Sequence, residues 1–501
     1  MPDTHELRRV AWKTIEEYFA AVTSFGAVAD GVTDNATAIT LAESELEAGE
    51  ELYFPPGIYA FKSALTVTRA RAKWRGAGHG QTILRYTGSA TDIDLITVGD
   101  GSTEYGEVRM EGFTIQSSTT MTAGTALRLR KLVRSHIDVH LQGQTGYTTI
   151  GNKLWNGVWF NLIDSASFYG EEVYAQNDGI LVNGGLGAVG YKADLFVGYA
   201  KISRCTVGLR CGGAFGGLYL GNTAFIVNTN NIVIDQTLTA EENREVFISQ
   251  VISDECTGVG MYVNDAGGTL IQATGTWFAS AGSHGVHINS SAGKFIASGC
   301  RFFNNTGDGM RVSTAVADIL VGSSQFTSNG GYGLNPAVAS HRVVWGNCYF
   351  AGNTTAAVNY TNAPALQAQA GPLVVEDNSS NQAALVVRGT GANAAGLQLT
   401  GDGASTQHKF MRVLGGVLQW LNSAYGAVIL QVNDAGALSV YSALYPATPA
   451  SAAQTASAIY AGTGAPNNAD GGNGDFYFRS DGGAATCLYQ KRAGAWAATG
   501  A

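Results

Sequence analysis

A chain of 501 residues has room for two or three domains. Only 14% of it is charged, well below the usual quarter, and 66 glycines against 9 prolines suit many short strands and tight turns. A net charge of −9 argues against nucleic acid, since a phosphate-binding surface needs an excess of Lys and Arg, and no apolar run approaches the length of a membrane span.

Residues 5–20 carry an amphipathic helical pattern, with Leu7, Val10, Ala11, Ile15, Tyr18 and Phe19 apolar. It suits either an attachment helix or a helix packed on the end of a domain. A second helix is expected from Thr33 or Asp34 as cap through Ala48, with Gly49 as its stop. The surrounding motif is FGA-x-x-DG-x-TDN-x-x-AI at 25–39, followed by FPPG-x-Y at 54–59. It resembles the opening of the pectate-lyase-like β-helix superfamily, and most of all its phage tailspike and prophage polysaccharide depolymerases. The resemblance implies a helix over the open end of the coil, where an uncovered coil would expose strand edges. On that reading Asp30, Asp34 and Asn35 are structural. It is specific for fold and weak for chemistry, because the superfamily holds lyases, hydrolases and epimerases.

Residues 74–176 suggest less regular coils, with 143–156 as a surface insertion. From 177 to 362 the chain repeats itself. Markers fall at Gly179, Gly208, Asn231, Gly260, Gly285, Gly309, Gly333 and Ala357, in steps of 29, 23, 29, 25, 24, 24 and 24. One position after each marker comes Ile180, Leu209, Ile232, Met261, Val286, Met310, Leu334 or Val358, and the next residue varies freely. Apolar, variable, apolar is a strand with one buried face. A second strand places Phe278, Phe302, Phe326 and Phe350 seven before the marker, and Asn305, Asn329 and Asn353 recur four before it as an expected ladder. A third strand starts at Phe295, Ile319 and Val343. Three short strands per turn predict an all-β chain built on a right-handed parallel β-helix, with a short N-terminal helical cap and a small C-terminal β module.

Residues 237–245 read as an insertion and the stretch after 362 as a linker. Short strands over 371–445 suggest a small β module, such as a sandwich. Residues 446–501 end in a segment resembling the tip of phage tail fibres. The expected domains are 1–24, 25–362, 371–445 and 446–501. Cysteines 205, 211, 256, 300, 348 and 487 lack metal-ligand spacing and read as small core fillers in a protein made in reducing cytoplasm. Cys300 and Cys348 lie two coils apart, roughly 10 Å, too far for a disulfide.

Outward columns are where chemistry is expected. Two positions after the marker stand Arg210, Tyr262, His287, Arg311, Asn335 and Asn359; eight before it stand Trp277, Arg301, Gln325 and Tyr349. Aromatic faces stack on sugar rings and Arg pairs with acidic sugars. Hydrolysis needs two carboxyl groups. Asp254 and Glu255 are the densest acidic spot in the regular coils, with Glu241, Glu242, Glu245, Glu171, Glu172, Asp178 and Asp308 as further candidates. A lyase needs a base and a cation beside the uronate carboxylate; His287 and Arg311 fill those roles, supported by His284, Arg301, Asp308 and Tyr332. His284, Asp308 and Tyr332 share the column before the marker, whose facing the strand alternation leaves open. No Asp-x-Asp cluster indicates a metal, and no cofactor is expected.

Two functions remain open at this point: a depolymerase cutting capsule or lipopolysaccharide O-antigen by hydrolysis or β-elimination, and a non-catalytic glycan-binding spike. A bacterial pectin- or alginate-type lyase fits less well, because the charged N-terminus lacks a signal-peptide pattern. The resemblance further implies a homotrimer on the virion tail, attached to tail or baseplate through its N-terminus.

Overall fold

The computed structural model describes residues 19–142, 153–183, 194–212, 217–235, 245–264, 269–290, 294–313, 318–337, 342–359, 395–400, 408–414, 417–421, 428–432, 438–440, 459–483 and 486–499. Two compact units divide the chain, Met1–Gly371 and Pro372–Ala501. The N-terminal helical pattern lies outside the described residues up to Tyr18, and its last residues are not helical: Phe19–Ala21 is a strand paired in parallel with Glu51–Phe54.

The first unit is a parallel β-helix. Twelve strands, from Leu65–Val67 to Ala356–Val358, stack in chain order into one parallel sheet. Its register is the one the repeat predicts: Ile180 lies opposite Leu209, then Ile232, Met261, Val286, Met310, Leu334 and Val358. The other two strands of each coil join a 23-stranded sheet, where Phe278, Phe302, Phe326 and Phe350 pair in line, as do Phe295, Ile319 and Val343. Glycine recurs at the marker because coils approach closely there. A Cβ on Gly260, Gly285 or Gly309 would stand 2.5–2.6 Å from the carbonyl oxygen of the next marker.

Inside the coil, the rings of Phe278, Phe302, Phe326 and Phe350 stack with centroids 5.3, 4.4 and 5.0 Å apart. Beside them runs the asparagine ladder. Asn305 Nδ2 donates to Asn329 Oδ1 at 2.9 Å, and Asn329 Nδ2 to Asn353 Oδ1 at 2.8 Å. Each amide also donates to a backbone carbonyl, of Phe278, Phe302 or Phe326, so buried turn polarity is satisfied.

The corners are made by single left-handed residues. Arg204, Val227, Glu255, Ser280, Asn304 and Ser328 each follow a short strand with φ between 47° and 60°, and Tyr199, Asn222, Gln250 and Ser323 form a second such series. One residue at positive φ turns the chain without a loop, at some cost in sterics for side chains with a Cβ.

The helix after the motif spans Ala36–Glu45, shorter than expected, because Leu46 is extended (φ −84°, ψ 142°); Gly49, at φ +93°, serves the turn before the next strand instead. Asn35 is buried, its Oδ1 accepting from the Val28 amide at 2.6 Å and its Nδ2 donating to the carbonyls of Val28, Thr33 and Ala60. Asp30 accepts from the Val32 and Thr33 amides and the Thr33 hydroxyl, and Asp34 from the Ala36 and Lys62 amides. These three residues are structural, as the motif implies. Ile39 and Ala42 of the helix join the core, and buried Glu43 holds the helix to the first coils through Arg69 Nε at 3.1 Å and the Trp74 indole N–H at 2.8 Å.

Cys205, Cys211, Cys256, Cys300 and Cys348 are free thiols. Cys205, Cys211, Cys256 and Cys300 are buried fillers, and burial pushes the Cys205 thiol up to about 12. Cys487 departs from that expectation by being exposed. No helix among the described residues is long and apolar enough to cross a membrane.

In the second unit, Ala395–Thr400, His408–Leu414, Val417–Leu421, Val428–Val432 and Leu438–Val440 form one antiparallel five-stranded sheet among the described residues, where a sandwich was expected. Ile459–Gly462, Phe476–Arg479, Leu488–Arg492 and Ala495–Ala498 form a separate four-stranded sheet. The expected linkers on 361–373 and 446–458 lie outside the described residues.

Candidate functional site

Stacking in register carries every outward side chain of one strand onto its counterpart in the next coil. On the twelve-stranded sheet, Tyr262 pairs with His287, His287 with Arg311, and Arg311 with Asn335. The column before the marker faces the same way. Asp308 Oδ2 accepts from Asn335 Nδ2 at 2.8 Å and lies 3.7 Å from Arg311 Nη1. Asp178 and Arg210 repeat that relation several coils earlier, with Arg210 Nε 3.0 and 3.1 Å from the two carboxylate oxygens. Burial pushes the Asp178 carboxyl up and Arg210 partly offsets it, so this acid is committed to a structural ion pair.

Five of the expected residues thus meet on three successive coils: Tyr262, His284, His287, Asp308 and Arg311. The Tyr262 and His284 rings each lie 5.3 Å from that of His287, centroid to centroid. Burial, then His284 and Arg311, lower His287 to about 4, so its imidazole is neutral at pH 7. A hydrogen-bonded chain assigns its proton. Asn289 Nδ2 donates to Tyr262 OH and Asn264 Oδ1, which leaves Asn289 Oδ1 to accept from Ser313 Oγ at 3.1 Å. With its proton so placed, Ser313 Oγ accepts from His287 Nε2 at 2.8 Å. The lone pair of His287 is therefore on Nδ1. A neutral imidazole, a guanidinium and a phenol along one column of the sheet are equipped to take a proton and to hold an anion.

Tyr332 contributes its backbone here, its amide donating to Asp308 Oδ1 at 2.8 Å. The other expected residues lie elsewhere. Trp277, Arg301, Gln325 and Tyr349 are aligned as expected but on the 23-stranded sheet. Trp277 and Tyr349 are exposed, and the Arg301 guanidinium lies 5.0 Å from the Trp277 ring and 4.3 Å from that of Phe303. Asp254 ends a strand of that sheet and Glu255 is the left-handed corner after it. The Glu255 amide donates to Asp254 Oδ1 at 2.8 Å, and no described contact joins either acid to the His287 cluster. Glu241 and Glu242 lie outside the described residues, and Glu245 begins a strand.

Two features escaped sequence reasoning. Phe196, Tyr219 and Phe247 stack outward on the 23-stranded sheet at 4.5 and 5.1 Å and line a cleft of about 260 Å³ with Tyr169 and Tyr199. The same column continues through Gln272, Ile296, Leu320 and Val344. Apolar residues at outward positions of the third strand were the available signal. The second feature is a cluster of His79, His140 and Glu171 from well-separated segments.

Residues 19–262 match the family model for rhamnogalacturonase A/epimerase, pectate lyase-like. Over those residues the first unit is similar to the pectate-lyase-like family. The family match ends at Tyr262, and the coils with His287, Asp308 and Arg311 lie beyond it. Among solved structures, tailspike protein 3 of bacteriophage CBA120 is 15% identical with a TM-score of 0.52, over 85% of this chain and 70% of that one. ORF18 of Geobacillus virus E2 is 14% identical with a TM-score of 0.48, over 98% and 87%. The A-module of the mannuronan C-5 epimerase AlgE4 of Azotobacter vinelandii is 13% identical with a TM-score of 0.45, over 69% and 98%. At these identities the likeness is one of fold. No curated protein matches the sequence.

Proposed function

We propose that the protein is a phage tailspike depolymerase that binds and cleaves a bacterial surface polysaccharide, capsule or lipopolysaccharide O-antigen. The observation that carries this reading is the His287 cluster. It sets a neutral imidazole with its lone pair assigned one strand away from Arg311, on the face of a stack whose period, about 4.8 Å, runs along an extended glycan. For β-elimination, His287 Nδ1 takes the proton next to a uronate carboxylate and Arg311 neutralises that carboxylate. The glycosidic C–O bond at the β carbon breaks, leaving an unsaturated uronate and a leaving oxygen that is protonated to a hydroxyl. For hydrolysis, Asp254 and Glu255 supply acid and nucleophile or base. Tyr262, Trp277, His284, Arg301, Tyr332 and Tyr349 are the proposed glycan contacts. A fold shared with a phage tailspike supports placement on the virion tail through the N-terminus. The apolar outward column through Phe196 and Leu320 supports packing against further copies, with a homotrimer as the assembly.

A non-catalytic glycan-binding spike is the second reading. It is favoured by the separation of Asp254 and Glu255 from the His287 cluster, which leaves the groove able to bind without a complete acid pair.

The deciding experiment incubates the protein with purified capsule or O-antigen and follows ultraviolet absorbance and reducing ends. Absorbance growth lost in His287→Ala supports elimination. Reducing ends without absorbance, lost in Asp254→Asn with Glu255→Gln, support hydrolysis. Retained binding with neither signal supports the spike, and absence of binding as well rejects both readings.

A further inference from the structure

We propose that His79, His140 and Glu171 form a binding site for one zinc-class divalent ion, a ligand the sequence spacing does not announce. His140 Nε2 lies 2.8 Å from Glu171 Oε2, and His79 Nδ1 lies 3.7 Å from the same oxygen. All three donor atoms fall within 4.8 Å of one another. Two ligands of one tetrahedral zinc sit roughly 3.3 Å apart, given metal–ligand bonds of ~2.0–2.2 Å. Small rotations of Glu171, whose side chain is 73% exposed, adjust the spacing of its carboxylate to both imidazoles.

Three further observations point to an ion. His140 Nε2 is buried and lacks a hydrogen-bond partner of acceptable geometry, even though a carboxylate oxygen is close by. A lone pair aimed into the cluster accounts for that, since a nitrogen and an oxygen that both face a cation do not need to bond each other. The second observation concerns His79. Its Nε2 lies 3.1 Å from the Asp138 carbonyl and 3.3 Å from Asp138 Oδ1, both acceptors, so Nε2 carries a proton and Nδ1 is turned toward Glu171. A ligating histidine ordinarily donates its other N–H to such a carbonyl or carboxylate, which fixes the ring. Thirdly, the His79 and His140 rings lie stacked at 4.0 Å, which presents both nitrogens to one point.

The fold brings the three together at one corner of the coil. His79 is on the loop between Lys73–Gly76 and Thr82–Tyr86, His140 is in Ser135–Leu141, and Glu171 lies between Ser165–Phe168 and Val173–Tyr174. The His79 loop crosses the intervening coil where Gly112 sits at φ +72°, its missing Cβ leaving room beside the Gly76 carbonyl, and the Gly78 amide donates to the Gly112 carbonyl at 2.8 Å. Two imidazoles and one carboxylate favour zinc and its first-row neighbours over calcium or magnesium, which require oxygen ligands throughout. Bound there, the ion adds a clip between coils already joined by strand pairing and core packing.

The test uses the full chain, stripped with chelator and titrated with zinc chloride by calorimetry, with cobalt(II) absorption reporting geometry. The expected result is one saturable site per chain, tetrahedral cobalt bands and a higher melting temperature with zinc. His140→Ala should weaken zinc by about 100-fold or more and Glu171→Gln by about 10-fold, in line with the loss of a ligand or its support. The double variant His284→Ala with His287→Ala should keep the site. Absence of a one-to-one site in the unaltered protein overturns the proposal. So does unchanged zinc affinity in Glu171→Gln, which alters an exposed side chain and decides the matter should His140→Ala fail to fold.

Discussion

The backbone amide of Asp308 donates a 2.9 Å hydrogen bond to Nδ1 of His284. That nitrogen also lies 3.5 Å from Asp308 Oδ2, a spacing that would suit an ion pair. The two interactions are exclusive, because an Nδ1 that accepts from an amide has no proton to offer a carboxylate. Burial, with Arg311 nearby, lowers the His284 pKa against the pull of Asp308, so the neutral ring and the amide bond prevail. His284 therefore carries its proton on Nε2, which is the donor available for the proposed glycan contact.

His287 sets a pH dependence. Its pKa is about 4 in the folded chain against 6.5 unfolded, with His284, Arg311, Asp308 and Tyr262 around it. Between these values the unfolded chain holds a proton that the folded one does not. Its contribution to stability is complete above pH 6.5 and is lost as the pH falls toward 4. Denaturant titrations across that range should show a decline that His287→Gln flattens. With His287 as base, kcat/KM should hold down to about pH 5, its acid limb near 4, and His287→Ala should lower kcat by ~10²–10⁴-fold with circular dichroism unchanged.

Asp308 has a structural share that mutation exposes. Asp308→Ala leaves the Tyr332 amide and the Asn335 side chain without their 2.8 Å acceptor. A loss of about 3 kcal/mol is expected from two buried donors left unpaired. Asp308→Asn, which keeps a carbonyl oxygen, should lose less. Urea midpoints of the two variants test the order.

The phenylalanine stack should be the costliest place to make a cavity. Phe302 is fully buried between Phe278 and Phe326, so Phe302→Ala should destabilise by ~3–5 kcal/mol. Chemical denaturation measures it, and Tyr349→Ala, two coils further on and exposed, should stay within about 0.5 kcal/mol.

Val227 is a β-branched residue held at φ 58° and 45% exposed. The equivalent corner three coils later holds Asn304, at φ 55°. Val227→Asn should therefore stabilise by about 1 kcal/mol, since asparagine tolerates the left-handed region and valine does not. A lower melting temperature in this variant would contradict the account.

Sequence alone settled what repeats. Markers spaced at near-equal steps identify the strand register from Ile180 to Val358, because a glycine recurs wherever two backbones close to van der Waals distance, and a phenylalanine wherever the core needs the same volume in the next coil. The asparagine ladder was legible for the same reason: each amide bonds the one a full coil away. Tertiary structure decided what does not repeat. Which sheet carries each outward column, the facing of Asp308, and the meeting of His79, His140 and Glu171 all depend on single left-handed residues and one crossing loop. Corners of that kind redirect the chain through one dihedral angle, which leaves no period in the sequence to read.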